Sequence, residues 1–172
     1  MKNKYYLLIF SILFYSCSSI SLREGININE KEDWLQAGKD ESKTNVSGSG
    51  SILNPPFTKL WNFNADAAFA KNTISVSDGV LFTSCLKGDV FAINISNGSV
   101  IGKTFTKSKS SFSTPLILKD IIILTFSDGI KNFIIGYDFN TGEYKWSKVT
   151  GEILSSPAAK NNDIFYATTI FV

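Results

Sequence analysis

The side chains that carry most protein catalysis are scarce in this sequence. Its 172 residues include no histidine and only two cysteines, Cys17 and Cys85. Without histidine the chain lacks the commonest general base and the commonest transition-metal ligand. Neither Ser-His-Asp nor Cys-His catalysis can be built from this chain alone, and no metal-ligand spacing is present. The sequence therefore favours a protein that is not an enzyme and has no catalytic residues or metal.

Aspartates are the remaining candidates for acid–base chemistry or for Ca²⁺ binding. Those from residue 66 onward stand near turns, where an Asp carboxylate accepts hydrogen bonds from nearby backbone N–H groups. They are Asp66, Asp78, Asp89, Asp120, Asp128, Asp138 and Asp163. We interpret them as turn-forming residues rather than as ligands.

The first residues are predicted to be an export signal. A short positively charged end precedes an apolar run, residues 5–15, that is too short for an ordinary membrane span. The run ends in Ser16-Cys17, which resembles the lipobox of bacterial lipoproteins. That resemblance implies a signal peptide over residues 1–16, a lipid on Cys17 and a place at the outer membrane, facing the periplasm. The alternatives are a plain secretory signal, which would give a secreted or periplasmic protein, and an uncleaved anchor.

A polar tether is predicted to follow, over residues 17–56. It is rich in Ser, Gly, Asn and Pro, a composition typical of flexible linkers. Trp34 is too costly to leave exposed, so we expect it to dock on the domain that follows. With Cys17 acylated, Cys85 has no partner and is expected to be a buried small hydrophobe. The formal net charge of +2 argues against a nucleic-acid partner.

Residues 57–172 are predicted to be an all-β body. Short apolar and β-branched segments, the first of them TKLWNFN at 58–64, alternate with turns such as SDG, SNG and NTG. The segments repeat with a spacing in the low forties: Gly98 aligns with Gly142, and Pro115 with Pro157. Such a period, with about four short strands per unit, is the signature of a β-propeller blade.

Five positions are predicted to be structural in these blades. Gly79, Gly98 and Gly142 would form the turns, because glycine tolerates positive φ. Trp61 and Trp146 would be large apolar plugs between neighbouring blades. Gly102 stands where Trp146 stands in the next copy, so one plug is either missing or displaced to Phe105. No residue is predicted to bind a cofactor.

The blade sequences ISVSDGVLFTSCLKGDVFAINISNGSVIG and KNFIIGYDFNTGEYKW resemble the PQQ-like β-propeller repeat. The tether, with its Trp and Gly followed by Pro-Pro and Trp61, is similar to the N-terminal segment of outer-membrane assembly lipoproteins of that class. The resemblance covers residues 33–172. It implies a non-catalytic, lipid-anchored scaffold that binds envelope proteins. The alternative is an N-terminal fragment of a PQQ-dependent dehydrogenase, which would use PQQ and Ca²⁺.

The length of the all-β body predicts the number of blades. Residues 57–172 provide about three blades, whereas propellers usually have four to eight. We therefore expect an incomplete propeller of four-stranded antiparallel blades behind a flexible leader. On this reading we expect the chain to be an N-terminal piece: a truncated reading frame, a gene fragment, or a subunit whose missing blades another chain supplies.

Overall fold

The computed structural model describes residues 19–22, 25–46, 54–105, 113–153 and 155–169. Ten β-strands and no helix occur in these ranges, and no helix there could cross a membrane. The strands are β1 (Phe69–Ser77), β2 (Val80–Cys85), β3 (Asp89–Asn94), β4 (Val100–Phe105), β5 (Leu116–Leu118), β6 (Ile121–Ser127), β7 (Asn132–Asp138), β8 (Glu143–Thr150), β9 (Ala158–Lys160) and β10 (Asp163–Phe165). The prediction of an all-β body is confirmed.

The strands form two four-stranded antiparallel sheets and one hairpin, each in simple sequence order. The first sheet is β1-β2-β3-β4 and the second sheet is β5-β6-β7-β8. β9 pairs with β10 in a third, two-stranded unit, which we call the third hairpin. Short turns connect most neighbouring strands, which favours this up-and-down order. Two whole blades and the first hairpin of another are therefore present, and within the described ranges they do not close into a ring.

Alternation along the strands gives each sheet two apolar faces. In the first sheet Phe82 pairs with Ala92, whereas the adjacent pair, Leu81 and Ile93, points to the opposite face. Such a sheet needs apolar cover on both sides. The main core cluster provides it on one side, because it joins residues of the first sheet to residues of the second. Its buried members are Ile20, Phe82, Val90, Ala92, Ile117, Ile122, Leu124, Ile135, Tyr137 and Phe139.

The first strands of the three units, β1, β5 and β9, approach one another and mark the inner side of the stack. Side-chain hydrogen bonds join the units here at repeat-like spacing. Ser75 Oγ donates to the carbonyl of Pro115, and the Thr114 N–H donates to Ser156 Oγ at 3.0 Å. The outermost strands, β4 and β8, lie at the opposite edges of their sheets.

A short extended piece of the N-terminal segment runs across this inner side. We call residues 33–36 the crossing segment. Trp34 forms an antiparallel bridge with Val76 of β1, and the Leu35 carbonyl accepts from the N–H of Ile117 in β5 at 2.8 Å. Gln36 Oε1 then accepts from the N–H of Ala159 in β9 at 2.9 Å. Consecutive residues thus reach successive repeats, and the predicted docking of Trp34 is confirmed.

A second piece, residues 19–22, which we call the strap, lies against the outer part of both sheets. Ile20 is fully buried, and both of its backbone groups bond the Tyr137 hydroxyl. The Ile20 N–H donates to that oxygen at 3.0 Å, and the hydroxyl donates to the Ile20 carbonyl, also at 3.0 Å. The Leu22 N–H donates to the Phe139 carbonyl at 2.6 Å. The strap therefore contributes to the core between the sheets.

Two features differ from the sequence-based expectations. TKLWNFN, residues 58–64, is not a strand, because its aromatic side chains cover the free face of the first sheet while its backbone stays outside the ladder. Two described parts of the tether lie on the sheets: the strap, residues 19–22, and the crossing segment, residues 33–36. The boundaries at residues 16 and 56 stay predictions.

Replacing Tyr137 by Phe should destabilise the fold by about 1–3 kcal/mol, because it leaves the buried backbone groups of Ile20 without their partner. The measurement is chemical denaturation of both proteins. Tyr144→Phe is the matched control, since its hydroxyl makes an exposed contact with the Phe105 carbonyl at 3.4 Å. Equal free energies of unfolding for the two variants would contradict the proposed role of the strap.

Candidate interaction surface

The three predicted turn glycines lie where the sequence placed them. Gly79, Gly98 and Gly142 have φ of +73°, +74° and +79°, in the region that side chains rarely adopt. Gly98 and Gly142 close the equivalent turns after β3 and β7. Their N–H groups donate to the carbonyls of Asn94 and Asp138 at 2.8 and 2.9 Å. All three turns lie at one end of the sheets, which we call the turn end.

Trp61 covers the turn of the first sheet instead of standing between two blades. Its ring lies over Gly98, where an added Cβ would be 2.7 Å from the ring atom Cδ2. The indole N–H donates to the Ile95 carbonyl at 2.7 Å. Trp61 also packs with Phe63 against the cluster of Ala65, Cys85, Phe91 and Ile93. It closes the free face of the first sheet, and Cys85 is buried there as expected.

Trp146 is not a buried plug between the two whole sheets. It pairs with Gly136 in the second sheet, and its indole covers the glycine on the face that turns away from the first sheet. Its side chain remains 36% exposed. Alternation puts residue 146 on the face that only the third hairpin begins to cover, so its role as a plug between neighbouring blades stays a prediction.

The equivalent position in the first sheet, Gly102, is filled from outside the repeat. An added Cβ at Gly102 would lie 3.0 Å from Ile20 Cα. The strap therefore occupies the place that Trp146 takes in the next copy. Phe105 is 45% exposed and does not replace the plug. In the sequence, the only sign of this replacement is a glycine at the position where the next copy of the repeat has tryptophan.

The outermost strands of both sheets expose large apolar side chains. In the described part of the chain no strand pairs with the outer edge of β4 or β8. The exposed residues on these strands are Val100, Ile101 and Phe105 of β4 and Tyr144, Trp146 and Val149 of β8. An unpaired edge strand offers N–H and C=O groups to an extended peptide, and apolar side chains beside them favour such binding. Together these strands are the candidate interaction surface.

A separate apolar cleft of about 640 Å³ opens on the free face of the first sheet. Trp34 lies on one side of it and Trp61 on another. The rest of its lining consists of Ala37, Gly38, Asn45, Phe63, Phe69, Ala70, Thr73, Ile74, Val76, Leu81, Thr83, Ile93 and Thr114. The lining contains no charged side chain. It suits an apolar group and offers no carboxylate to a cation.

One ion pair at the turn end is built into a turn. Asp138 Oδ2 lies 3.0 Å from Lys145 Nζ, and Oδ1 accepts from the N–H groups of Asn140 and Thr141 at 2.8 and 3.0 Å. Burial by itself would raise the pKa of the Asp138 carboxyl. The hydrogen bonds from Lys145, Thr141 and Asn140, with the Lys145 charge, outweigh burial and hold that pKa below its usual 3.8. The same pair raises the pKa of Lys145.

The predicted aspartates act within the scaffold. Asp78 and Asp66 adopt positive φ in turns, and Asp128 accepts from the N–H groups of Ile130 and Lys131. Asp89 differs, since it lies in β3 and pairs with Lys103 at 3.0 Å. Over the described ranges no group of three or more acidic, Cys or His residues could hold a metal ion. Cys17 lies outside the described residues, so its lipidation stays a prediction.

No protein-family model and no curated protein matches the sequence. Solved structures that resemble this chain include a europium-containing methanol dehydrogenase (TM-score 0.42, 24% identity, covering 48% of this chain and 16% of that chain). They also include BamB from Moraxella catarrhalis (TM-score 0.41, 22% identity, 58% and 31%). A third is the quinohemoprotein alcohol dehydrogenase from Comamonas testosteroni (TM-score 0.41, 16% identity, 73% and 28%). The chain spans less than a third of the length of each.

Replacing Gly98 by Ala tests how closely Trp61 seats on the turn. Both Gly98→Ala and the control Gly79→Ala place a side chain at positive φ, which costs about 1 kcal/mol. Only Gly98→Ala also forces a methyl group into the Trp61 ring, because nothing lies within 4 Å of an added Cβ at Gly79. We expect Gly98→Ala to lose about 1–3 kcal/mol more in denaturation. Equal losses would show that Trp61 moves away freely.

The Asp138–Lys145 pair predicts a dependence of stability on acid. Because the folded pKa of Asp138 is depressed, its stabilisation is present above the usual value of 3.8 and is lost as pH falls through the folded pKa. Asp138→Asn should therefore be less stable than the parent at neutral pH. The difference should shrink below pH 3.8 when thermal melts are compared across pH. A difference that does not change with pH would contradict the role of the charge.

Proposed function

We propose that this chain is an exported, lipid-anchored member of the PQQ-like β-propeller repeat class. It acts as a non-catalytic scaffold that binds proteins of the cell envelope and serves in outer-membrane protein assembly. The observation that carries this proposal is the candidate interaction surface. Within the described residues, each whole sheet ends in a strand whose outer edge is unpaired and which carries exposed apolar residues. Such edges bind extended segments of partner proteins.

The chemistry of the surface fits a protein partner. The backbone of β8 offers hydrogen bonds along its outer edge, while Tyr144, Trp146 and Val149 offer apolar contact beside it. Tyr and Trp are enriched where protein interfaces gain most of their energy. Envelope proteins in transit expose extended apolar segments, so such segments are the occupants that these edges suit. A chain with further repeats is a second possible protein partner. It would stack one of its blades on the free face of the second sheet.

The alternative, a PQQ-dependent dehydrogenase, needs groups that the described residues do not assemble. PQQ is a tricarboxylate quinone, so its site requires cations, and the associated Ca²⁺ requires several carboxylate or carbonyl oxygens. The apolar cleft has an uncharged lining, and the carboxylates of Asp89, Asp128 and Asp138 are occupied in a turn or in ion pairs. The described residues therefore do not fit the cofactor.

The scaffold role is tested by photocrosslinking in cells that express the full chain. A photoreactive amino acid at Val149, on the edge of β8, should form adducts with envelope proteins, identified by mass spectrometry. Ile130 is the matched control position, because it is apolar and highly exposed but lies in the loop between β6 and β7. The competing dehydrogenase role is tested by titrating the same chain with PQQ and Ca²⁺.

Adducts that form at Val149 and not at Ile130, and that include outer-membrane proteins or their assembly factors, would support the proposal. Absence of adducts at Val149, or the same adducts from both positions, would contradict it. Stoichiometric binding of PQQ with dye-coupled alcohol oxidation would overturn it in favour of the dehydrogenase.

A further inference from the structure

The strap places the predicted lipid attachment site beside one particular part of the fold. Ser19 lies against the turn after β7, where its Oγ would be 2.9 Å from a Cβ added at Gly142. Ser21 Oγ donates to the Asn140 carbonyl at 2.9 Å, and Ile20 is locked by the Tyr137 hydroxyl. The chain therefore leaves the fold at the outer part of the turn end, from a residue whose neighbours hold it in place.

The length of chain between this point and the membrane is very short. Cys17 is two residues before Ser19, and two fully extended residues span at most about 7 Å. A lipid on Cys17 would lie in the bilayer, so Ser19 must stay within about that distance of the membrane surface. An uncleaved apolar segment over residues 5–15 would impose a similar restriction. A long flexible tether would have imposed none.

The surface around Ser19 is suited to contact with lipid. Gly102 touches Ile20, and its neighbours Val100 and Ile101 expose nearly half of their side chains. A β-bulge lies here, because Ala92 pairs with Gly102 while Ile93 pairs with Val100, which leaves Ile101 outside the ladder. The two nearby turns, ISNGS at 95–99 and FNTG at 139–142, contain no charged residue, although Asp138 and Glu143 flank the second turn. Apolar side chains beside uncharged turns enter the headgroup region at little desolvation cost.

The opposite end of the sheets lies far from the strap. The loop between β6 and β7 contains Asp128 and Lys131 on either side of the exposed Ile130. β7 has seven residues, and strands rise about 3.3 Å per residue, so this loop lies about 20 Å from the turn after β7. Its distance from the strap places this end away from the membrane.

We propose that the turn end at β4, with Val100 and Ile101, rests on the phospholipid surface and thereby fixes the orientation of the sheets on the membrane. This inference rests on the proposed lipid anchor at Cys17. The candidate edges of β4 and β8 would then stand close to the bilayer, where membrane proteins in transit are found.

The test uses the full lipidated chain in vesicles of phosphatidylethanolamine and phosphatidylglycerol. An environment-sensitive dye is attached at Ile101→Cys or, as a control, at Ile130→Cys, and quenching by spin-labelled lipid is measured. Cys85 is fully buried and Cys17 is acylated, so the introduced cysteine is the labelled one. We expect strong quenching at residue 101 and none above background at residue 130. A flexible Gly-Ser insertion between Ser18 and Ser19 should lower the quenching at residue 101 towards that of the control.

Failure of this inference can be told from failure of the anchor. Metabolic labelling with palmitate should be lost in Cys17→Ala; a label that persists there, or its absence from the parent, overturns the anchor itself. With the anchor present, equal quenching at residues 101 and 130 overturns the orientation. Quenching at residue 101 that survives a long insertion would show that the surface binds lipid without help from the tether, which overturns the role of the short connection.

Discussion

The structure depends on one constraint: each sheet has two apolar faces and cannot cover both by itself. The first and second sheets cover one face each by stacking, with Phe82 and Leu124 in the shared core. Such stacking buries apolar area that would stabilise the fold at about 25 cal/mol per Å². The remaining faces must be covered by something else. Trp61 and Phe63 cover the first sheet, and the third hairpin begins to cover the second.

The N-terminal segment packs across the boundaries between neighbouring repeats. Trp34, Leu35 and Gln36 bond β1, β5 and β9 in turn, so a single extended piece ties the inner strands of successive units. On the outer side Ile20 fills the space above Gly102. Repeat proteins gain stability mainly from contacts between neighbours. Here a non-repeating segment adds contacts that reach across several neighbours, and the same segment links the fold to its predicted anchor.

Much of the fold could be predicted from the sequence, because its signals are local. Short apolar and β-branched segments between turn sequences predicted the strands, and Gly79, Gly98 and Gly142 predicted the turns, each of which has the expected positive φ. TKLWNFN was mistaken for a strand because an aromatic segment that covers a sheet has the same composition as a strand within one. The exposed edges of β4 and β8 could not be predicted, since the position of a strand in its sheet depends on pairing.

Residue types and their spacing were enough to establish an all-β repeat with a period in the low forties, its turn positions, and the lack of histidine chemistry. Those features follow from residue type and spacing, which act over a few neighbours. Only the tertiary structure decided that Trp146 stays partly exposed, that Ile20 takes the place of a missing tryptophan, and that the tether lies on the sheets. These outcomes depend on which face each residue meets across more than 100 positions of chain, and no local pattern encodes such a contact.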